Sequence, residues 1–221
     1  MKKVIYILLV FVLCICLVSC NKTEQKPLPP SNDGLDTDEI GDIEKLVNSK
    51  KVEDFELDES GDYAIVDIEN YGQIVLCLRA DIAPDTVENF KNLIKKGYYN
   101  GLLFHRVIKD FMIEGGEVNS DGVMSEADMI YGEFTSNGFE NNLCHLRGVL
   151  SMSRANIPDS ATGKFFIVHK DARHLDGEYA AFGYVIAGMD VVDKIAECEV
   201  GENYSPNEQV VINSIKLAKL K

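Results

Sequence analysis

Short apolar runs, each closed by a turn signal, follow one another from about Asp62 to the C-terminus, and that rhythm admits many strands and few helices. Tyr63–Glu69 and Gln73–Arg79 read as two strands joined by the turn Glu69-Asn70-Tyr71-Gly72. In the second, Ile74, Leu76 and Leu78 alternate with Val75, Cys77 and Arg79, which gives one strongly buried face. Further strands are expected over Leu103–Val107, Phe111–Glu114, Gly148–Met152, Phe165–Val168, Ala181–Ile186 and Val210–Leu217. Only two segments carry a helical stripe. Pro84 suits a first helical position, Val87, Phe90, Leu93 and Ile94 line one side, and Gly97 stops the helix. The second runs from about Met189 to Cys198, with Val191, Val192 and Ile195 facing inward. Many short strands with two helices point to a mainly β fold, a closed antiparallel barrel or a sandwich. Periodicity does not choose between them.

The chain before Asp62 obeys a different rule. A basic start, Met1-Lys2-Lys3, precedes the uncharged run Val4–Val18, which is shorter than the ~20 apolar residues of a spanning helix and suits a secretory core region. It ends in Leu17-Val18-Ser19-Cys20, which resembles the lipobox of bacterial lipoprotein signals. That resemblance implies removal of residues 1–19 and a lipid, palmitate included, on Cys20, and so a protein anchored to the extracytoplasmic face of the cell membrane. The competing reading is an uncleaved N-terminal helix with an incidental cysteine. Residues 20–61 are rich in acids, and Pro27, Pro29, Pro30, Ser31, Asn32 and Gly34 interrupt regular structure early in them. They read as an acidic flexible tether to a domain at 62–221, with one weak helix expected over 39–50, where Ile40, Ile43 and Val47 share a side. Asp36-Thr37-Asp38 opens like a calcium loop but lacks the glycine and closing glutamate.

Charge and thiols narrow the function classes. Acids number 36 against 22 bases, a net charge of −14, which disfavours attraction to phosphate backbones and hence nucleic acid as a partner. Cys14 and Cys16 leave with the signal, and Cys77, Cys144 and Cys198 are too widely spaced for a metal pattern. They read as small apolar packing residues. His105, His145, His169 and His174 also lack ligand spacing, so no metal is assigned.

The segment most informative about function is Phe104-His105-Arg106-Val107-Ile108-Lys109-Asp110-Phe111-Met112-Ile113-Glu114-Gly115-Gly116-Glu117. It resembles the signature of the cyclophilin-type peptidyl-prolyl isomerases. Tyr131-Gly132-Glu133-Phe134, Gly148–Met152, Lys164–Ile167, Leu175-Asp176-Gly177 and Phe182-Gly183 follow in that family's order, and the likeness covers about residues 62–217. The resemblance implies a closed eight-stranded antiparallel β-barrel capped by two α-helices, with the active site on its outer surface.

Rotation about an X-Pro bond breaks no covalent bond but must lose amide resonance, a barrier of roughly 18–20 kcal/mol. The twisted nitrogen regains a lone pair, so a fixed cationic donor aimed there binds the twisted state better than either planar one. Arginine suits that task because it never deprotonates and its planar fork can also hold a carbonyl. An apolar pocket must grip the proline ring meanwhile. By resemblance Arg106 is the catalytic donor, Phe111, Met112, Phe166 and Leu175 form the pocket, and the backbone of Ser153-Arg154-Ala155 binds the peptide. His105 is read as a wall residue, since isomerisation transfers no proton. From the residues alone, Phe111, Phe166 and Leu175 read as barrel core rather than pocket, and Gly115-Gly116 needs no more than a tight turn.

The site departs from the family at several substrate-binding positions. Glu114 and Lys164 stand where glutamines are usual, His174 where tryptophan is frequent, Tyr179 where histidine is frequent, and Lys109-Asp110 replace a common Pro-Gly. These changes bear on rate, sequence preference and cyclosporin binding. Glu114 is expected to hold Arg106 and compete with the prolyl nitrogen for its N–H groups, and Lys164, if close, to draw the carboxylate away. The expected function is isomerisation of X-Pro bonds in unfolded or exported proteins at the membrane surface, by a monomer without cofactor. The alternative is a peptide-binding or chaperone module of the same fold with little catalysis.

Overall fold

The computed structural model describes residues 43–221. The expected signal peptide 1–19, Cys20 and the tether through residue 42 lie outside the described residues.

Nine strands form one antiparallel sheet: β1 (Phe55–Leu57), β2 (Tyr63–Ile68), β3 (Gly72–Leu78), β4 (Leu102–Ile108), β5 (Met112–Asn119), β6 (Val149–Met152), β7 (Phe165–Val168), β8 (Ala181–Ala187) and β9 (Ile212–Leu220). Their spatial order is β1-β9-β2-β3-β8-β6-β7-β5-β4. Period-two alternation sorts the side chains onto two faces. Val66, Ile74, Leu76, Phe104, Ile113, Phe165 and Phe182 fill the inside, together with Phe90 of α2 (Pro84–Lys95) and Val192 and Ile195 of α3 (Met189–Ala196). Phe90 meets Phe165 and Phe182 edge to face, at centroid separations of 5.5 and 5.2 Å. On the outer face, Tyr63, Val75, Cys77, Met112, Phe166 and Tyr184 form a second cluster, covered in part by Ile43, Phe55, Leu143 and Leu146.

All eight expected strands and both expected helices form, most with ends shifted by a residue or two, while β5 runs on to Asn119 and β9 to Leu220, five and three residues beyond the expected ends. The closed eight-stranded barrel, however, is corrected, among the described residues, to an open sheet of nine strands accompanied by three α-helices. The reason lies along β9. One of its edges pairs with β2, and the other is taken by β1 over Ala218–Leu220 and met by β4 only at its start. There a single bridge, Leu103 to Val211, and the bonds Gly101 N–H to Ile212 O and Phe104 N–H to Val210 O span the gap. The tether expected through residue 61 also fails over its second half. Ile43 of α1 (Ile43–Leu46) and Phe55 of β1 are buried on the outer face, and the Asn48 and Lys50 amides donate to Val185 O and Ile186 O. Glu53 and Glu56 stay toward water while Phe55 between them docks.

Candidate active site

A β-bulge sets the position of the arginine. Phe104 pairs with Gly115 and Arg106 with Glu114, so β4 advances two residues while β5 advances one. Phe104 and Val107 therefore both point inward, and His105 and Arg106 both stay outside. An unbroken strand would send Arg106 to the same side as Phe104. Gly115 faces the bulge because there is no space for a Cβ, which would lie 2.8 Å from Leu103 O and 2.9 Å from Phe104 Cδ1.

Across the sheet, Arg106 stands beside Glu114, Glu114 beside Phe166, and Phe166 beside Ser151, one outer-face row over β4, β5, β7 and β6. Two strand spacings, roughly 10 Å, separate the backbones of the arginine and the phenylalanine. Arg106 Nη1 donates to Glu114 Oε2 at 3.1 Å; the arginine side chain is 41% exposed and the glutamate 8%. The other carboxylate oxygen accepts from Ser153 Oγ at 2.6 Å. Lys164 Nζ lies 3.9 Å from Glu114 Oε1 but 3.1 Å from Glu117 Oε2. Burial pushes the Glu114 carboxyl up, yet the Ser153 and Arg106 hydrogen bonds and the Lys164 cation outweigh it and hold the group below the usual range. Burial lowers the His105 imidazole below its ordinary value, against the pull of Glu114.

Next to this row is apolar surface. Met112 and Phe166 are buried in the outer cluster, with Phe111, Leu175 and Tyr179 packed against it half-buried. Phe111 lies in the turn after β4 and meets the His174 ring at 5.5 Å, and Phe166 meets Tyr179 edge to face at 5.9 Å. Arg154 is held between the rings of Phe134 and Tyr179, at 4.9 and 4.7 Å, and donates to Glu178 O and Ala155 O. The arrangement offers an exposed guanidinium, steadied by a buried carboxylate, at the rim of an apolar patch.

A family model described as cyclophilin-type peptidyl-prolyl cis-trans isomerase matches residues 63–217. The chain belongs to this family. It is similar to peptidyl-prolyl cis-trans isomerase B of Escherichia coli, 39% identical over 162 residues, covering 68% of this chain and 96% of that one. To isomerase A of Dickeya dadantii it is 40% identical over 158 residues, covering 67% and 80%. It is also 39% identical over 151 residues to the isomerase-like protein 2 of Rhizopus delemar, of whose length it spans only 28%. Among solved structures, a cyclophilin of Cryptosporidium parvum crystallised in the presence of the dipeptide Ala-Pro superposes with a TM-score of 0.61 at 29% identity, covering 70% of this chain and 98% of that one.

Of the residues expected at the site of this cyclophilin, Arg106, Glu114, Phe166, Met112, Phe111, His174, Leu175 and Tyr179 gather on one face, and His105 flanks Arg106 in the bulge. The 153–155 stretch is partly committed elsewhere. Ser153 N–H donates to Lys164 O, and Ala155, exposed, gives its N–H to Ser160 Oγ and receives Arg154 at its carbonyl. Lys164 is present, but nearer Glu117 than Glu114. Sequence reasoning missed Glu117, Phe134 and the side-chain role of Ser153. Glu117 was visible as the last residue of the signature, whereas the other two emerge only when distant segments meet.

Proposed function

We propose that this isomerase turns X-Pro bonds by presenting Arg106 to the prolyl nitrogen while Phe111, Met112, Phe166 and Leu175 grip the proline ring. The observation that carries the reading is the row Arg106–Glu114–Phe166, which sets a half-exposed cation beside the apolar patch. The guanidinium is always charged, and its contact to one glutamate oxygen leaves other N–H groups to meet a lone pair that exists only in the twisted state. Arg106→Ala should lose about a hundredfold in kcat/KM on a proline peptide while remaining folded. Arg106→Lys should regain part of that, since a point charge lacks the planar fork. Wild-type turnover in both variants would overturn the assignment of catalysis to Arg106, whereas a wild type that binds proline peptides without turning them over would favour the peptide-binding module.

The same proposal extends to place. Exported proteins are the proposed clients, met at the extracytoplasmic face of the membrane by a monomer held through lipidated Cys20. The support is the sequence Val4–Val18 followed by Leu17-Val18-Ser19-Cys20, with multiple acyl chains needed for stable anchoring. No helix among the described residues is long and apolar enough to cross a membrane. Radiolabelled palmitate should enter the wild type and not Cys20→Ala, and equal labelling of both would remove the anchor from the account.

A further inference from the structure

His145, Asp176 and Ser151 form a buried hydrogen-bonded string that the isomerisation chemistry does not use. His145 Nδ1 lies 3.0 Å from Asp176 Oδ1 and Nε2 lies 3.0 Å from Ser151 Oγ. The order is that of a nucleophile triad, but Ser151 is fully buried in β6 with its hydroxyl committed to the imidazole, so no scissile bond can reach it. The string must therefore matter through what it holds.

It holds a great deal of the proposed pocket. The imidazole stacks on Phe166, planes 16° apart and centroids at 5.9 Å. The His145 backbone grips the 172–176 segment at both ends, its N–H donating to Asp176 Oδ1 at 2.6 Å and its carbonyl accepting from Ala172 N–H at 2.8 Å. Between those two anchors sit His174 and Leu175. Burial keeps the imidazole below its ordinary value, against the opposing pull of Asp176. In the neutral ring a carboxylate can only accept, so Nδ1 carries the proton and Nε2 accepts from Ser151.

We propose that His145 is a positioning residue of the isomerase: pinned between Asp176 and Ser151, it fixes the Phe166 ring from beneath and ties down the segment carrying His174 and Leu175. This rests on the reading of Phe166 and Leu175 as the proline pocket. A pocket wall grips planar and twisted prolines alike, so its loosening weakens binding more than turnover.

The test is the KM and kcat of the full chain on a proline tetrapeptide. His145→Ala should raise KM about tenfold with kcat within about twofold of wild type. His145→Asn, which keeps a donor for Asp176, should recover at least half of that loss. A folded His145→Ala with unchanged KM, or with its whole loss in kcat, would overturn the proposal. Should His145→Ala not fold, Asp176→Ala decides by the same criterion, because the Asp176 side chain is 28% exposed and its loss frees both His145 Nδ1 and the His145 N–H while leaving the Ser151 contact in place. Arg106→Ala, assayed in parallel, separates the two claims. Normal turnover there overturns the site reading itself, whereas lost turnover there with unchanged KM in the His145 variants overturns only the positioning role.

Discussion

Glu114 accepts from Arg106 on one oxygen and from Ser153 on the other. A carboxylate free to offer both oxygens would take the guanidinium as a fork and compete with the prolyl nitrogen. Ser153 prevents this by occupying Oε1 at 2.6 Å, a part that the sequence suggested for Lys164. Lys164 is 3.9 Å from that oxygen and closer to Glu117, so its hold on Glu114 is the weaker one. Ser153→Ala should lower kcat/KM roughly threefold, the equivalent of one ordinary hydrogen bond. Lys164→Gln should change it by less than about twofold, as expected of a partly exposed pair. Glu114→Gln should preserve or raise it, and Ser153→Ala added to Glu114→Gln should then have no further effect, a non-additivity that a double-mutant cycle reads directly. A larger loss from Lys164→Gln than from Ser153→Ala would reverse this order. What the sequence displayed here was the charge exchange at 114 and 164; the hydroxyl that governs it belongs to Ser153, just past the end of β6 and distant in sequence.

At the scale of elements, the bulge in β4 is what turns Arg106 outward, and Gly115 is what permits the bulge. A methyl group there would press on Leu103 O and the Phe104 ring. Gly115→Ala should cost about 1–3 kcal/mol by overpacking, read from urea unfolding, and should lower kcat/KM by about tenfold or more as the arginine shifts. Unchanged activity would mean that the bulge does not position the cation. The turn between β1 and β2 makes a sharper electrostatic statement. Asp58 Oδ1 accepts from both the backbone and hydroxyl of Ser60, which, with Lys219 3.1 Å from its other oxygen, lower the Asp58 carboxyl from 3.8 to about 2. A depressed folded value means that the turn's contribution is complete above 3.8 and disappears as the pH falls through about 2. Carbon-detected NMR titration should find Asp58 near that value, and Ser60→Ala should bring it back toward 3.8. Eight strands were legible because alternation over four or more residues is a local pattern. The bulge was not, since it exists only in the register of β4 against β5, and neither was β1, whose Phe55-Glu56-Leu57 is too short to show a period among acids.

For the whole molecule, the consequence of β1 is that the folded unit begins at or before Ile43. Phe55 packs its ring 4.9 Å from Tyr63 on the outer sheet face. Phe55→Ala should destabilise the protein by about 3–5 kcal/mol, and a chain starting at Asp62 should unfold at lower urea than the full chain. Equal midpoints would return residues 43–61 to the status of a tether. Net acidity was legible in composition, the two-face packing in alternation and Ile43 as part of the apolar side of a weak helix over 39–50, but the outer cluster also drew on Phe55, an apolar residue isolated in an acidic stretch that reads as solvated. The pocket candidates were recognisable by resemblance, and their assembly onto one face depends on the cross-strand row from Arg106 to Ser151. The most direct measurement of the central claim is exchange NMR of a proline peptide, with cis and trans resonances resolved, in the presence of the wild type and of Arg106→Ala. Catalysed cis–trans exchange with the wild type, and binding without exchange with Arg106→Ala, is the predicted result; undiminished exchange with Arg106→Ala would contradict it.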